Sequence, residues 1–238
     1  MNLKLLRATT ASVLAAAALS AQALTLSLTG FANGYQNMTV GSPNTSASAG
    51  AFVGSLSGTG TFDRNPFYTY CVELTQNFSW GNPLANYSIV GGISYFSSVL
   101  VGGNPLPAGA STIVDRLGRL FTVLGGVNLP SSSTQSAAIQ LAVWESVYEA
   151  GSTLNVTAGN GSFAAQSAPA AVISTANSLL AQAAALTQSA YSISVLRNAN
   201  RQDFVLVQYV PEPASLGLVA LALVAGFGAA RRRRANPG

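Results

Sequence analysis

Seventeen uncharged residues, Ala214 to Ala230, run directly into four consecutive arginines, Arg231, Arg232, Arg233 and Arg234. This ending constrains everything upstream of it. At about 1.5 Å per residue the run spans roughly 25 Å as a helix, near the lower limit for crossing a bilayer core. Arginines immediately after an apolar segment resist translocation, so they hold the C-terminal end in the cytoplasm and leave the preceding chain outside. The sequence therefore predicts a single transmembrane helix over 214–230, and a folded domain confined to the residues before it.

The N-terminal end carries a second address. Lys4 and Arg7 precede an uncharged run from Ala8 to Leu19, and Ser20-Ala21-Gln22-Ala23 has small residues where a signal peptidase reads. That pattern predicts a secretory signal peptide over 1–23, with Ala23 the last residue removed. The domain to be explained is then 24–210, and it is extracytoplasmic.

Pro211, Glu212 and Pro213 stand just before the apolar run. The order Pro-Glu-Pro, apolar helix, arginine cluster, placed at the chain end over 211–238, resembles the sorting signal of the PEP-CTERM family of exported bacterial proteins. By that resemblance the signal residues are Pro211, Glu212 and Pro213 together with Arg231, Arg232, Arg233 and Arg234. The resemblance implies a membrane protease-transpeptidase, exosortase, as partner. It also implies a temporary inner-membrane anchor, loss of Leu216 to Gly238 on processing, and delivery to the cell surface or extracellular matrix.

Setting the two addresses aside changes the charge argument. Six of the eleven basic residues lie in them, and 24–210 holds five arginines against six acids, a net charge of −1. The high isoelectric point belongs to the ends, so nucleic acid is excluded as a partner. The chain has no histidine, and 24–210 has no lysine. This removes the usual general base, the commonest metal ligand and any Ser-His-Asp arrangement. Glu145 and Glu149, one helical turn apart, are expected on a solvated helix edge. No enzyme, metal or cofactor is expected.

Along the domain the period of the pattern changes. Residues 24–40 alternate and carry Asn33-Gly34 as a hairpin turn, 41–50 reads as a loop, and strands are expected over 51–57 and 67–74. Apolar spacings of three and four predict helices over 93–100, 110–124, 134–150 and 168–186, the third capped by the serines after Pro130 and stopped by Gly151. Strands over 191–196 and 203–210 close the domain as an antiparallel pair. Strands, then helices, then strands argue for an α+β fold, a β sandwich or barrel with an inserted helical subdomain.

Two residues stand out within that frame. Cys71 is the chain's one cysteine, placed inside the FYTYCVEL strand of an exported protein. An unpaired thiol in an oxidising compartment is either core, an intermolecular disulfide or a reactive group; without a lipobox it is not a lipid attachment point. Gln140 falls in the helical stripe Ala137, Gln140, Leu141, Trp144, Val147 and Tyr148, where a primary amide must find hydrogen bonds or cost about 1–3 kcal/mol.

Together, YCVEL and IQLAVWE resemble the two halves of the thioester domains of bacterial surface adhesins, in which a strand cysteine is joined to a glutamine of a Gln-x-Ala-Ile/Val-Trp helix motif. Gln140, Ala142, Val143 and Trp144 match; Ile139 stands where the adhesin motif has threonine, and Gln135 in Thr134-Gln135 is a second candidate. The resemblance spans about 67–151. It implies Cys71 and Gln140 as a reactive pair shielded by Trp144 and Tyr70, and a covalent adhesin acting on amines or hydroxyls of a host, neighbouring cell or matrix polymer. The alternative is an exopolysaccharide-associated structural matrix protein with no thioester. A carbohydrate-binding module using exposed Tyr87, Tyr95 or Trp80 is a third reading.

Overall fold

The computed structural model describes residues 24–211, apart from 42–43, 78–79 and 81–82. The signal segment at 1–23 and the apolar run at 214–230 lie outside the described residues, as does the arginine cluster of Arg231, Arg232, Arg233 and Arg234. Among the described residues no helix is long and apolar enough to cross a membrane.

The chain runs β1 (Thr25–Phe31), β2 (Gln36–Val40), β3 (Thr45–Ala49), β4 (Phe52–Ser57), β5 (Arg64–Thr69), β6 (Ser88–Gly91), α1 (Gly92–Ser98), β7 (Leu100–Val101) and β8 (Asn104–Pro105). It continues through α2 (Ala110–Leu124), α3 (Ser133–Tyr148), β9 (Ala165–Ser167), α4 (Ala170–Ala184), β10 (Tyr191–Asn198) and β11 (Arg201–Tyr209). The fold is α+β, as expected, with small sheets ordered β1-β4-β5, β11-β10-β6 and β3-β2-β9, plus the short hairpin β7-β8.

The expected sandwich or barrel is not what the strands build, and among the described residues no barrel closes. Asn33 and Gly34 do adopt positive φ of 55° and 84°, a conformation asparagine tolerates and glycine, lacking a Cβ, adopts freely. Yet β1 and β2 leave that turn into different sheets, so the turn redirects the chain instead of closing a hairpin. The stretch read as a loop contains β3, which pairs with β2 in continuous antiparallel register from Thr45↔Val40 to Ala49↔Gln36.

The space that a second sheet would fill is taken by α3. This helix packs on α2 and α4 and against β2 and β3. Thirteen of its sixteen residues are buried, so it has no wet face. Small residues permit this, since Ser136, Ala137, Ala138, Ala142 and Ser146 let neighbours approach from every side. Ser132 caps it by accepting from the N–H of Gln135 at 3.2 Å. Ser136 ties it to the first sheet region, accepting from Ala51 N–H at 2.8 Å and donating to the Ala32 carbonyl at 3.2 Å.

Because α3 is enclosed, Glu145 and Glu149 are buried, at 0% and 2% exposure, and not on the solvated edge expected of them. Glu149 accepts from the N–H groups of Gly151, Ser162 and Phe163 at 2.6, 2.6 and 2.9 Å, which fastens the following loop to the helix end. Burial opposes its charge, but those three N–H groups and the Ser162 hydroxyl hold its pKa below the ordinary value. Arg116 of α2 completes the clasp by donating to the carbonyls of Glu149 at 2.7 Å and of Gly151. Glu145 accepts from Asn155 N–H at 2.6 Å, and burial pushes its pKa up to about 8.

Candidate functional site

β5 ends at Thr69, two residues before Cys71, so the cysteine lies just past the strand and not within it. The chain stays extended there by leaning on β11. Val205 N–H donates to Tyr70 O at 3.0 Å, Val72 N–H donates to Asp203 O at 3.1 Å, and the Thr69 hydroxyl donates to Val205 O at 2.7 Å. These bonds make Cys71 and Phe204 an antiparallel bridge between the first two sheets.

In such a bridge the N–H and C=O of the central residue point away from the partner strand. For Cys71 that side is closed by α3, and both groups are buried. The Gln140 amide meets them. Cys71 N–H donates to Gln140 Oε1 at 2.9 Å, and Gln140 Nε2 donates to Cys71 O at 2.8 Å. One side-chain amide therefore takes the place of the next strand, and it does so against the residue that carries the thiol. Gln140 is 1% exposed and Cys71 7%.

Cys71, with Glu73, Trp144, Phe31, Phe52 and Trp80, lines a cavity of about 290 Å³. Its remaining wall is mostly polar, supplied by Thr45, Ser46 and Ser48 of β3 and by Gln76, Asn77 and Gln202, with Ala47 and Leu74 the apolar exceptions. Trp144 stands one helical turn after Gln140, so the glutamine and the indole belong to one side of α3. Its Nε1–H is buried without a hydrogen-bond partner. Phe31, Phe52 and Trp80 form a ring cluster at the same cavity, with Phe31 and Trp80 edge to face at 5.6 Å.

Burial pushes the Cys71 thiol well above its ordinary pKa, and the charges of Glu73 and Asp203 push it the same way. Glu73 is itself 5% exposed. Burial raises its pKa to about 7, opposed by the Thr75 hydroxyl, which donates to Oε2 at 2.7 Å. Asp203 is raised by burial while accepting from Asn198 N–H at 2.6 Å and the Tyr95 hydroxyl at 2.7 Å. Chemically, the site offers a protonated thiol, an amide carbonyl that already accepts one backbone N–H, and a carboxyl group that changes charge near neutral pH.

The other residues singled out in the sequence lie elsewhere. Tyr70 lines a separate cavity with Leu124, Pro130, Gln135 and Ile139, and does not border the one at Cys71. Gln135 sits at the start of α3 with its Oε1 accepting from Ser131 N–H, away from the cysteine. Tyr87 and Tyr95 are buried and not exposed as a sugar platform requires, their hydroxyls donating to Gln202 O and Asp203 Oδ2; Trp80, at 51%, is exposed. Of the sorting-signal residues, Pro211 is described, whereas Glu212, Pro213, Arg231, Arg232, Arg233 and Arg234 lie outside the described residues. No group of three or more His, Cys, Asp or Glu side chains suited to a metal ion occurs among the described residues.

Glu73 is the residue that sequence reasoning passed over. The signal was present in the Cys-Val-Glu spacing, because in extended chain residues i and i+2 share a face.

Residues 210–234 match the family model described as the PEP-CTERM protein-sorting motif, a span that takes in Pro211, Glu212, Pro213 and the arginines Arg231, Arg232, Arg233 and Arg234. No curated protein and no solved structure matches the chain. The motif makes the protein an exosortase substrate that is exported and passes through a stage anchored at its C-terminal end before sorting.

Proposed function

We propose that this exported, sorted protein is a covalent surface adhesin, armed by an internal thioester between Cys71 Sγ and Gln140 Cδ. The observation that carries the reading is the pair of hydrogen bonds between the Gln140 amide and the backbone of Cys71. They hold the amide carbon against the residue bearing the thiol, so the two reactants are an intramolecular pair whose ordering cost is met by folding.

In the proposed step Sγ loses its proton and attacks Cδ. The carbonyl electrons move to Oε1, which the Cys71 N–H already bonds at 2.9 Å in the manner of an oxyanion hole. The C–N bond then breaks, Nε2 leaves as ammonia, and the thioester remains. An amine or hydroxyl entering the cavity attacks the same carbon, the C–S bond breaks, and the target is left joined to Gln140 as an amide or ester. Gln140 is 1% exposed and is not among the residues that border the cavity, so its own burial keeps bulk water from that carbon until a target enters by way of Cys71. The bond is used once, so the protein has a covalent product and no turnover. Its final place in this reading is the cell surface or extracellular matrix, with host, neighbouring-cell or matrix polymers as targets.

The same two hydrogen bonds favour a second reading. A buried glutamine amide that satisfies two buried backbone groups has a structural reason to exist. Under that reading the protein is a non-catalytic, exopolysaccharide-associated matrix component, and Cys71 is core.

Intact mass separates the two. The exported protein is expected to be lighter by one ammonia than the sequence of its processed form requires, and to gain one methylamine on treatment, while Cys71→Ala does neither. A calculated mass with a freely alkylated Cys71 thiol in the unfolded protein contradicts the adhesin reading and leaves the structural one.

A further inference from the structure

The thioester reading needs a base, and the site's own chemistry narrows the choice. The Cys71 thiol is held protonated by burial, and a thiol is a far poorer nucleophile than a thiolate. An imidazole is absent from the whole chain, and 24–210 contains no lysine. A carboxylate is the base that remains. Of the residues lining the Cys71 cavity, Glu73 is the one with a carboxyl group, and no arginine borders it.

Glu73 shares with Glu145 a buried carboxyl oxygen without a hydrogen-bond partner, but Glu145 does not border the Cys71 cavity. Glu73 Oε2 is held by the Thr75 hydroxyl, while its Oε1 is buried with no hydrogen-bond partner. The Trp144 Nε1–H, on the same cavity, is a buried donor in the same condition. Buried polar atoms are nearly always satisfied, so open acceptors on Glu73 and Gln76 and an open donor on Trp144, all on the cavity that Cys71 lines, call for a transient partner.

We propose that Glu73 is the proton carrier of the Cys71–Gln140 site, serving both the closing and the opening of the bond; the proposal rests on the thioester reading. In closing, the Glu73 carboxylate takes the Sγ proton, Sγ attacks Cδ, and Glu73 returns the proton to Nε2 as ammonia leaves. In opening, the carboxylate takes a proton from the incoming amine or hydroxyl as its bond to Cδ forms. It gives that proton to Sγ as the C–S bond breaks. Glu73 ends each of the two steps as it began, and no other reactant is needed. Its ordinary pKa would leave it too weak a base, and its displacement to about 7 matches the carboxylate to the task. The ionisable groups around it are the Cys71 thiol, Asp203 on β11, and the hydroxyls of Tyr148 on α3, Tyr87 and Tyr95. Asp203 is occupied by Asn198 N–H and Tyr95 and does not border the cavity.

The test uses the exported full chain and methoxyamine, which is essentially uncharged across about pH 6 to 9 and so contributes little titration of its own. In the wild type the rate of methoxyamine uptake, read by mass, should rise and level off through about pH 7. Glu73→Gln should form the ammonia-deficient species slowly, and whatever forms should react about a hundredfold more slowly without the pH step. Thr75→Val keeps the carboxyl group and removes the donor that favours its charged form. It should move the midpoint upward while keeping the plateau, and it decides the matter if Glu73→Gln fails to fold. A Glu73→Gln protein with the wild-type rate and profile, or a Thr75→Val profile with an unmoved midpoint, overturns the role of Glu73 and leaves the thioester standing. A wild type with no ammonia deficit at any pH overturns the thioester itself, and the proton carrier with it.

Discussion

Replacing Gln140 by leucine in a Cys71→Ala background isolates what the amide does for the fold. Neither protein can form a thioester, and the backbone of residue 71 keeps its N–H and C=O. The substitution removes hydrogen bonds of 2.9 and 2.8 Å and leaves a donor and an acceptor buried beneath α3. Each such orphan costs about 1–3 kcal/mol, so the pair should cost about 2–6 kcal/mol. Leucine is close to glutamine in volume, so the cavity contribution is small. Against a total stability of about 5–15 kcal/mol this is a severe loss. For a domain of this size it corresponds to roughly 5–20 °C in Tm. Urea denaturation of the single and double variants gives the difference directly. Gln135→Leu serves as the control, since that amide accepts from a single N–H at an exposed helix start. A Gln140→Leu cost below about 0.5 kcal/mol would refute the view that the amide substitutes for a strand.

The remaining expectations follow from other buried groups. Ser136→Ala removes the side chain that pairs with both Ala51 N–H and Ala32 O, and should cost about 2–6 kcal/mol, read as a lower denaturant midpoint with the slope unchanged. Gly54→Ala would drive a Cβ into the Ser27 carbonyl group, well inside van der Waals contact, so β1 and β4 must part; loss of folded protein is expected, and a wild-type melting curve would contradict the pairing. Stability should fall as pH rises from about 5 to 8. Glu73 and Glu145 hold their protons more tightly folded than unfolded, with pKa raised to about 7 and about 8, so their contribution is complete below the ordinary carboxyl range and is lost as they ionise. The slope is at most about 1.4 kcal/mol per unit for each group, and Glu145→Gln should flatten it. Glu149, with its lowered pKa, works in the opposite sense, its contribution disappearing as acid titrates it.

The helices and the final strand pair were legible because their patterns are long and regular. α2 falls on 110–124 as its spacing requires, and Gly125, at φ 66°, closes it in the left-handed conformation glycine accepts. β3 was not legible, since Thr-Ser-Ala-Ser-Ala has one β-branched residue and the composition of a loop, and it is held by its pairing to β2. The turn at Asn33-Gly34 was readable as a turn, but which sheets its two strands join depends on where α3 lies, and a local motif carries no such information. The same limit explains Glu145 and Glu149. Helical period identifies an apolar face, whereas a helix enclosed by small residues buries its polar side as well, and a loop that follows in sequence donates to both acids, leaving Glu145 Oε2 without a partner. Cys71 was singled out as the one cysteine and Gln140 by its place in an apolar helical stripe, and motif resemblance joined the two as a pair. The structure places the Gln140 amide within hydrogen-bond distance of the Cys71 backbone, and Glu73 enters because an extended chain puts it on the cysteine's face.

The central claim is a bond between two named atoms, and site mapping after labelling tests it most directly. The exported protein is treated with isotopically labelled methylamine, unfolded, alkylated at free thiols and digested. The account predicts label on Gln140 alone, with Gln135 and Gln76 unlabelled, and a Cys71 thiol that alkylates in the unfolded protein only after methylamine. Label absent from Gln140, together with a Cys71 thiol already free in the untreated unfolded protein, would contradict it.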